Sequence, residues 1–320
     1  MPWGKKFGWA VSLVKFVSRN VGVALFLLFL LAAAIKNPSF LTLHNFADIL
    51  NNIPSLLCMA LGLSLVMIAG DFDLSFAACS EITAAAIVAF PTSNSVILAS
   101  LAAALVISLL NSLGVVFLDI HPWVVTIGTM LIALGGAEIL TGARQLTFSQ
   151  HLVKVLGENL GNFGSLSSFI SLLLALLVAI FVHRTRYGLA LYAVGGSRDV
   201  AYREGIKVKW YRTLSYSLAG VLYWFGGISY LATTGMFRAG QIQLQLIDVI
   251  LTVFIGMSLS RRRVVNIPGT VAGVVFVAVI NNAVLMLNVP SFWVSLFKGL
   301  VALAIISGAA MGSKDVVQLE

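Results

Sequence analysis

Long, nearly uninterrupted apolar runs constrain this chain more than any other feature of its sequence. A membrane-spanning helix needs about 20 such residues, with ~17 to 25 tolerated, so the shorter runs must tilt or borrow flanking residues. Only 10% of the chain is charged, whereas a soluble domain carries about 25%. The sequence therefore predicts an all-α, polytopic membrane protein with ten spans: Val21–Ile35, Ile49–Ala69, Leu74–Phe90, Ser95–Leu118, Pro122–Thr141, Leu166–Val182, Thr213–Thr234, Ile247–Leu259, Pro268–Asn288 and Ser291–Met311.

The net charge of +8 is explained by the loops between the runs, since the cations form no basic face interleaved with aromatic residues as in nucleic-acid binders. The polar segment His183–Arg212 concentrates them, with Arg184, Arg186, Arg198, Arg203, Lys207, Lys209 and Arg212. Cytoplasmic loops of membrane proteins carry an excess of Lys and Arg. The segment is therefore predicted to be cytoplasmic.

Ten spans that start inside place both termini in the cytoplasm. By this topology fifteen of the 20 Lys and Arg residues are cytoplasmic, including the triplet Arg261–Arg263. Four are outside (Lys36, Arg144, Lys154 and Arg238), and Lys298 lies in the last span. The prediction is one membrane domain over residues 1–320, with a cytoplasmic leader (1–20), the cytoplasmic loop (183–212) and a cytoplasmic tail (312–320).

The sequence offers little catalytic chemistry. It has no phosphate-binding loop of the G-x-x-x-x-G-K-[ST] type, and its four His residues show no metal-ligand spacing. Cys58 and Cys79 fall within apolar runs, which predicts buried thiols and no disulfide. We expect no enzymatic activity in this chain and no cofactor or metal. If ATP energises its function, another polypeptide must hydrolyse it.

A polar break separates the second and third runs, at Ala69–Ser75. Asp73 in lipid would cost ~2.5 to 3.5 kcal/mol on the insertion scale, so it needs a polar partner, an aqueous cavity or a helix start. Asp73 and Ser75 are each suited to cap the following helix, and contact with a transported solute is the alternative. Asp73, Ala77 and Glu81 share one helix face, which is predicted to pack inward.

A second break lies within the cytoplasmic loop. Ser197 is a favourable N-cap for a short helix that runs to Arg203 or Glu204, and Gly205 is well placed to end it. So short a helix spans nothing. It is either an anchored connector, whose cations bind anionic headgroups, or a knob that docks on a soluble partner.

Two further features leave alternatives open. Pro122-Trp123-Val124 opens the fifth span much as Ser291-Phe292-Trp293-Val294 follows Pro290 in the tenth. Because these spans run in opposite directions, an inverted-topology repeat would explain the echo, and so would the ordinary enrichment of Trp at membrane interfaces. The outer segment, residues 142–165, holds either a short interfacial helix around residues 150–160 or nothing regular.

Several motifs in combination resemble a known family. They are Phe72-Asp73-Leu74-Ser75, Thr126-Ile127-Gly128-Thr129-Met130, Tyr192-Ala193-Val194-Gly195-Gly196, Gly205-Ile206-Lys207-Val208, and Asp248, Gly269-Thr270, Asn281-Asn282, Ser291-Phe292-Trp293 and Lys298-Gly299 near the end. Over about residues 20–311 the chain resembles the membrane permease subunit of bacterial ABC importers in the ribose and related-sugar branch. It resembles branched-chain amino-acid permeases more remotely.

The resemblance implies a permease subunit that imports a small hydrophilic solute of the sugar class. It implies a second permease subunit, identical or different, a pair of cytoplasmic ATP-binding subunits, and an extracytoplasmic solute-binding protein. The coupling residues it implies are Ser197, Asp199, Ala201, Gly205 and Ile206. The polar residues assigned to the translocation pathway or to structure are Asp73, Ser75, Glu81, Thr126, Thr129, Asp248, Asn281 and Asn282.

Departures and an alternative accompany this interpretation. Asp71 and Ser197 stand where the family usually has Gly and Asn, and the triplet Arg261–Arg263 replaces a Gly-rich turn. The alternative is a secondary transporter coupled to an ion gradient. It would use Glu81, Glu138 or Asp248 as ion sites and would need no ATPase.

Overall fold

A computed structural model describes residues 30–91, 93, 95–160, 164–260 and 264–287, with residues 293, 296, 299, 300 and 303. The leader, the triplet Arg261–Arg263, Lys298, the tail, and most of the first and tenth predicted spans lie outside these residues. The proposed echo between the fifth and tenth spans therefore stays a prediction.

The described chain is almost entirely helical. After a helical stretch at residues 30–36 and a 3₁₀ turn at Pro38–Leu41, the helices are α1 (Leu43–Ile68), α2 (Phe76–Ala89), α3 (Val96–Ser112, extended by a π turn at Leu113–Phe117), α4 (Pro122–Thr141), α5 (His151–Gly157), α6 (Leu166–Arg184), α7 (Arg186–Gly196), α8 (Arg198–Arg203), α9 (Val208–Thr234), α10 (Leu246–Leu259, preceded by a 3₁₀ turn at Ile242–Gln245) and α11 (Ile267–Met286). Two short strands, β1 (Leu146–Thr147) and β2 (Met236–Phe237), pair antiparallel.

Six of these helices are long and apolar enough to cross a membrane. They are α1, α3 with its π turn, α4, α6, α10 with its 3₁₀ turn, and α11. The helix α2 is apolar but has 14 residues, and α9 is not among the six although it has 27. The fold is thus a multi-helical membrane fold. The count of ten spans is not established by the described residues.

The helix α1 lies at the centre, in contact with α6, α9, α10 and α11, and α9 also packs on α2 and α3. Small residues permit this proximity. A Cβ on Gly227 of α9 would lie 2.4 Å from the backbone oxygen of Ser80 in α2. The outer helices keep apolar side chains exposed, such as Ile132 (68%) and Ile139 (83%) of α4. That distribution suits helices surrounded by lipid.

One expectation is confirmed at this level. Cys58 and Cys79 are both free and buried, as their apolar surroundings predict. Of the two alternatives for residues 142–165, the structure has the short helix, α5, with Gln150 at its N-cap.

Candidate functional site

A buried ion-pair cluster joins the cation-rich loop at residues 183–212 to the end of α1. Asp71 follows α1, and its side chain is fully buried. Its Oδ2 accepts a hydrogen bond of 2.8 Å from Arg212 Nε, and its Oδ1 accepts one of 2.8 Å from Arg212 Nη2. Arg198 Nη2 donates to the same Oδ1 at 2.8 Å. We call Asp71, Arg198 and Arg212 the ion-pair cluster; sequence reasoning saw these as separate charges.

Backbone contacts reinforce this attachment. A Cβ on Gly195, near the end of α7, would lie 2.0 Å from the carbonyl oxygen of Ile68. Arg198 also donates to the carbonyl oxygen of Gly70 at 3.1 Å. On the other side, the Tyr192 hydroxyl donates to the carbonyl oxygen of Val265 at 2.9 Å, and burial raises the pKa of Tyr192 to about 12. The loop is therefore fastened to the helices at two places.

The short helix α8 forms as its local sequence predicts. Ser197 Oγ accepts from the backbone N–H of Val200 at 3.4 Å, and Gly205 ends the helix with φ +79°. The backbone N–H of Ile206 then donates to the carbonyl oxygen of Ala201 at 3.0 Å. The cap and the stop follow from residue chemistry within a few positions, which is why the sequence alone finds them.

The coupling residues implied by the resemblance differ in exposure along α8. Ala201 is only 2% exposed and packs inward. The side chains that α8 presents outward include Val200 (58% exposed) and Tyr202 (76%). A cavity of about 700 Å³ opens beside the helix, bounded also by Phe117 and Trp210.

A buried polar network surrounds the start of α2. Asp73 Oδ1 accepts from the Ser75 backbone N–H at 2.8 Å and from Ser75 Oγ at 2.7 Å. Asn111 Nδ2 donates to Ser75 Oγ at 2.7 Å, and Thr129 Oγ1 donates to Asn111 Oδ1 at 2.5 Å. Asp73 is thus tied to the helix start, as expected. Ser75 occupies the N-cap position, but its side chain makes no capping bond.

The network joins three helices, and its side chains are shielded from solvent. Asp73, Ser75 and Asn111 are fully buried, and Thr129 is 8% exposed. Thr126 is buried beside them, and its hydroxyl donates to the carbonyl oxygen of Pro122 at 2.9 Å. Burial raises the pKa of the Asp73 carboxyl, and the bonds from Ser75 oppose that rise. Asn111 was missed by sequence reasoning, because an Asn within an apolar run gives no signal of its partner.

Glu81 serves a different part of the molecule. Its carboxylate accepts hydrogen bonds from the backbone N–H groups of Gly240 and, at 2.9 Å, Gln243. Both lie in the segment that leads into α10. Asp73, Ala77 and Glu81 are each 0% exposed, so the prediction of an inward face is confirmed. Glu81 fixes the entry to α10, where the helix dipole favours a negative charge.

The remaining predicted residues meet in a second polar region. Asn281 Nδ2 donates to Asp248 Oδ2 at 3.0 Å, and Asn282 Nδ2 donates to Asn45 Oδ1 at 2.8 Å. A cavity of about 360 Å³ lies here. We call it the amide-lined cavity. Its walls are Ile49, Asn52, Leu56, Gln245, Asp248, Ala278, Asn281, Asn282, Val284 and Leu285.

The amide-lined cavity and the ion-pair cluster lie at opposite ends of α1. Asn52 is in its first half and Asp71 just follows its last residue, which separates them by about 28 Å at a rise of ~1.5 Å per residue. Asp248 in the first turn of α10 and Asn281 near the end of α11 bring their helix ends to the same place. The polar residues therefore form three groups: the amide-lined cavity at one end of α1, the ion-pair cluster at the other end, and the buried network around the start of α2.

This fold, with apolar spans and an amide-lined cavity at one end of α1, defines a multi-pass membrane protein. Residues 45–306 match the family described as branched-chain amino acid transport system / permease component. The chain belongs to this family and is a permease component of a transport system.

Curated relatives extend over most of the chain. It is 29% identical to the galactose/methyl galactoside import permease protein of Escherichia coli, over 87% of this chain and 90% of that one. It is 28% identical to the ribose import permease protein of Bacillus subtilis, over 88% and 89%. A probable ABC transporter permease protein of Sinorhizobium fredii is 31% identical, over 86% and 84%. No solved structure matches the chain.

Proposed function

We propose that this chain is the permease subunit of an ATP-driven importer for a neutral sugar. The observation that carries the substrate class is the lining of the amide-lined cavity. Two relatives named above are import permeases for galactosides and for ribose, which supports the same class. The neutral-sugar assignment distinguishes this chain from what the family description alone suggests, an amino acid.

The chemistry of the cavity favours hydroxyl groups over a zwitterion. Its described polar walls are three Asn, one Gln and Asp248, with no Lys, Arg or His among them. An amide both donates and accepts hydrogen bonds, and a carboxylate accepts, which matches sugar hydroxyls that do both. An amino-acid carboxylate would meet no cation there and would lie near Asp248. The volume of about 360 Å³ lies within the range of small-molecule sites, ~300 to 1,000 Å³.

The charge distribution supports an orientation. The ion-pair cluster belongs to the cation-rich loop, which the positive-inside bias assigns to the cytoplasm. The amide-lined cavity, at the other end of α1, then opens toward the outer face, where an extracytoplasmic binding protein would deliver solute. We propose ten spans and both termini inside.

The orientation is testable by thiol labelling of whole cells. Cys58 and Cys79 are fully buried, so an introduced Cys gives the signal. Glu158→Cys should react with an impermeant reagent from outside, and Tyr202→Cys only after the membrane is opened. The reverse pattern contradicts the proposed topology.

The helix α8 is our proposed contact with the ATP-binding subunits. It is exposed, too short to serve the membrane, and beside a cavity of about 700 Å³. Because Ala201 is buried, the contact falls on Val200 and Tyr202 and on the half-buried Ile206. Ser197, Asp199 and Gly205 shape the helix and its ends. A second permease subunit would complete the pathway.

Reconstitution tests the function directly. The permease is purified with the ATPase that accompanies it and placed in liposomes with the solute-binding protein outside, and with ATP inside or an ion gradient alone. We expect uptake of galactose, ribose or fructose that requires ATP, and no uptake of leucine. Leucine uptake without sugar uptake would contradict the substrate class. Uptake driven by the gradient without ATP would establish the ion-coupled alternative instead.

A further inference from the structure

Asp71 connects parts of the molecule that are distant in sequence. Its two carboxylate oxygens receive bonds from Arg212, which is 5% exposed, and from Arg198, which is 43% exposed. Arg198 is the first residue of α8, and Arg212 lies in the second turn of α9. One buried carboxylate thus bridges the exposed short helix and the long helix that packs on α1, α2 and α3.

The geometry of the two guanidinium groups differs. Arg212 binds both oxygens of Asp71, through Nε and Nη2 at 2.8 Å each, and a bidentate pair fixes orientation as well as distance. Arg198 uses a single nitrogen, Nη2, for both Asp71 Oδ1 at 2.8 Å and the Gly70 carbonyl oxygen at 3.1 Å. The Arg212 pair therefore holds Asp71 in place, and Arg198 attaches α8 to it.

The backbone around the ion-pair cluster is closely packed. Gly70, with φ +83°, lies so close to Gly195 that a Cβ on Gly70 would be 3.0 Å from the Gly195 Cα. A force applied to α8 would therefore reach α1 and α9 without being absorbed by a loose loop.

We propose that Asp71 is a positioning residue for energy coupling, which holds α8 to the membrane helices so that movement of the ATPase is transmitted to the translocation pathway. This inference rests on the proposed function. It predicts that the bond from Arg198 to Asp71 sets how many solute molecules are imported per ATP hydrolysed, apart from any effect on assembly.

The chain supplies a matched control for this bond. Arg203 is the last residue of α8, is exposed, and makes no hydrogen bond or ion pair within the described part of the chain. Arg198→Ala and Arg203→Ala remove the same side chain from the two ends of one helix. Arg198→Lys keeps the positive charge at the first end.

The experiment uses the reconstituted complex of permease and accompanying ATPase, with the solute-binding protein outside and with sugar uptake and ATP hydrolysis measured in the same liposomes. We expect Arg198→Ala to lower the uptake per ATP by about 5-fold or more, the lower range of measured coupling between sites. Arg203→Ala should retain the wild-type ratio, and Arg198→Lys should recover part of it. The amount of ATPase that copurifies should be equal in all four proteins.

A double variant shows whether Arg198 acts through Asp71. If it does, Asp71→Asn combined with Arg198→Ala lowers the ratio no further than Asp71→Asn alone. Normal coupling in Arg198→Ala, or an equal loss in Arg203→Ala, would overturn the inference. These outcomes presuppose a wild-type complex that imports sugar with ATP; a wild type that does not would contradict the proposed function and is read separately.

Discussion

The two ends of α1 hold polar groups of different kinds. At the ion-pair cluster, both oxygens of Asp71 are engaged by guanidinium groups. At the amide-lined cavity, the Oδ1 atoms of Asn281 and Asn282 have no hydrogen-bond partner among the described residues. A buried charge without a partner costs several kcal/mol, so charges persist inside a protein only when they are paired. An uncharged amide costs less, about 1–3 kcal/mol.

This difference in pairing separates the ion-pair cluster, which has a structural role, from the amide-lined cavity, which can bind a solute. A fully paired cluster gains nothing from a passing solute, since every strong acceptor is already used. Side-chain amides that line a cavity can exchange hydrogen bonds with solute hydroxyls and release them again. The comparison teaches that polar residues of a membrane protein are best sorted by how completely their partners are supplied from within the chain.

The largest expected effect on stability tests the ion-pair cluster. Asp71→Asn leaves Arg212 buried without a counter-charge, which should cost about 3–5 kcal/mol and lower the folded yield in detergent. Asp199→Asn is the control, because Asp199 is exposed in the first turn of α8 and interacts there with the helix dipole for ~0.3–1 kcal/mol. Thermal denaturation monitored by size-exclusion chromatography measures both. Equal melting temperatures would remove the distinction between the two ends of α1.

The next effect concerns α8, the short helix that Arg198 attaches to the ion-pair cluster. Ala201 is 2% exposed, and overpacking a core costs ~1–3 kcal/mol or more, so Ala201→Trp should lower the thermal stability of the permease alone. Tyr202→Ser should leave that stability unchanged and weaken the copurification of the ATPase. An unfolding temperature unchanged by Ala201→Trp would contradict the burial of this residue.

The cavity should respond mainly in transport, with a smaller loss of stability because Asn281 Nδ2 also donates to Asp248 Oδ2. Asn281→Leu removes an amide that would face the solute, with an expected loss of about 1–3 kcal/mol, seen as a KM for sugar uptake raised by ~5-fold or more. Asn51→Leu is the control on α1, since Asn51 pairs with Asn159 at 3.0 Å and does not line the cavity. If the two variants have the same KM, the cavity is not the solute site.

The smallest effect belongs to the buried network. Because burial raises the pKa of Asp73, the folded protein favours the protonated carboxyl. Its contribution is therefore fully present below the unfolded pKa of about 3.9 and is lost as pH rises through the folded pKa. Asp73→Asn should be nearly neutral and flatten that dependence, whereas Asp73→Ala should cost ~1 kcal/mol by losing the bonds to Ser75. Melting curves at several pH values compare the three proteins, and a larger loss in Asn than in Ala would refute this account.

Local chemistry was enough for most of the helices. Pro122–Thr141 was predicted with both ends correct, because Pro opens a helix and Gly142 adopts the left-handed conformation that ends one. Elsewhere the errors lie at the ends of helices, except that α7 (Arg186–Gly196), in the cation-rich loop, was not predicted. The helix α1 begins at Leu43, whereas the apolar run predicted Ile49, since Thr42 caps it through the Asn45 N–H and polar residues follow that an apolar criterion excludes.

A tertiary contact explains another such error. The seventh span was predicted to start at Thr213, but α9 starts at Val208. Arg212 reads as a loop cation in the sequence, yet in the fold it is helical and buried against Asp71, 141 positions away. The sequence around Arg212 or Asp71 does not indicate its partner, because a salt bridge depends on the packing of helices and not on spacing along the chain.

By itself the sequence determined the multi-helical membrane class, the short capped helix in the cation-rich loop, and the burial of Asp73, Glu81 and the two Cys, since each follows from hydropathy or from chemistry within one helical turn. Only the tertiary structure decided which of the eight predicted polar residues lie together. It placed Asp248, Asn281 and Asn282 around a cavity, enclosed Asp73, Ser75 and Thr129 in a network, and turned Ala201 inward. The physical reason is that these groupings depend on which faces of separate helices meet, and helices of similar hydropathy carry almost no sequence signal of their neighbours.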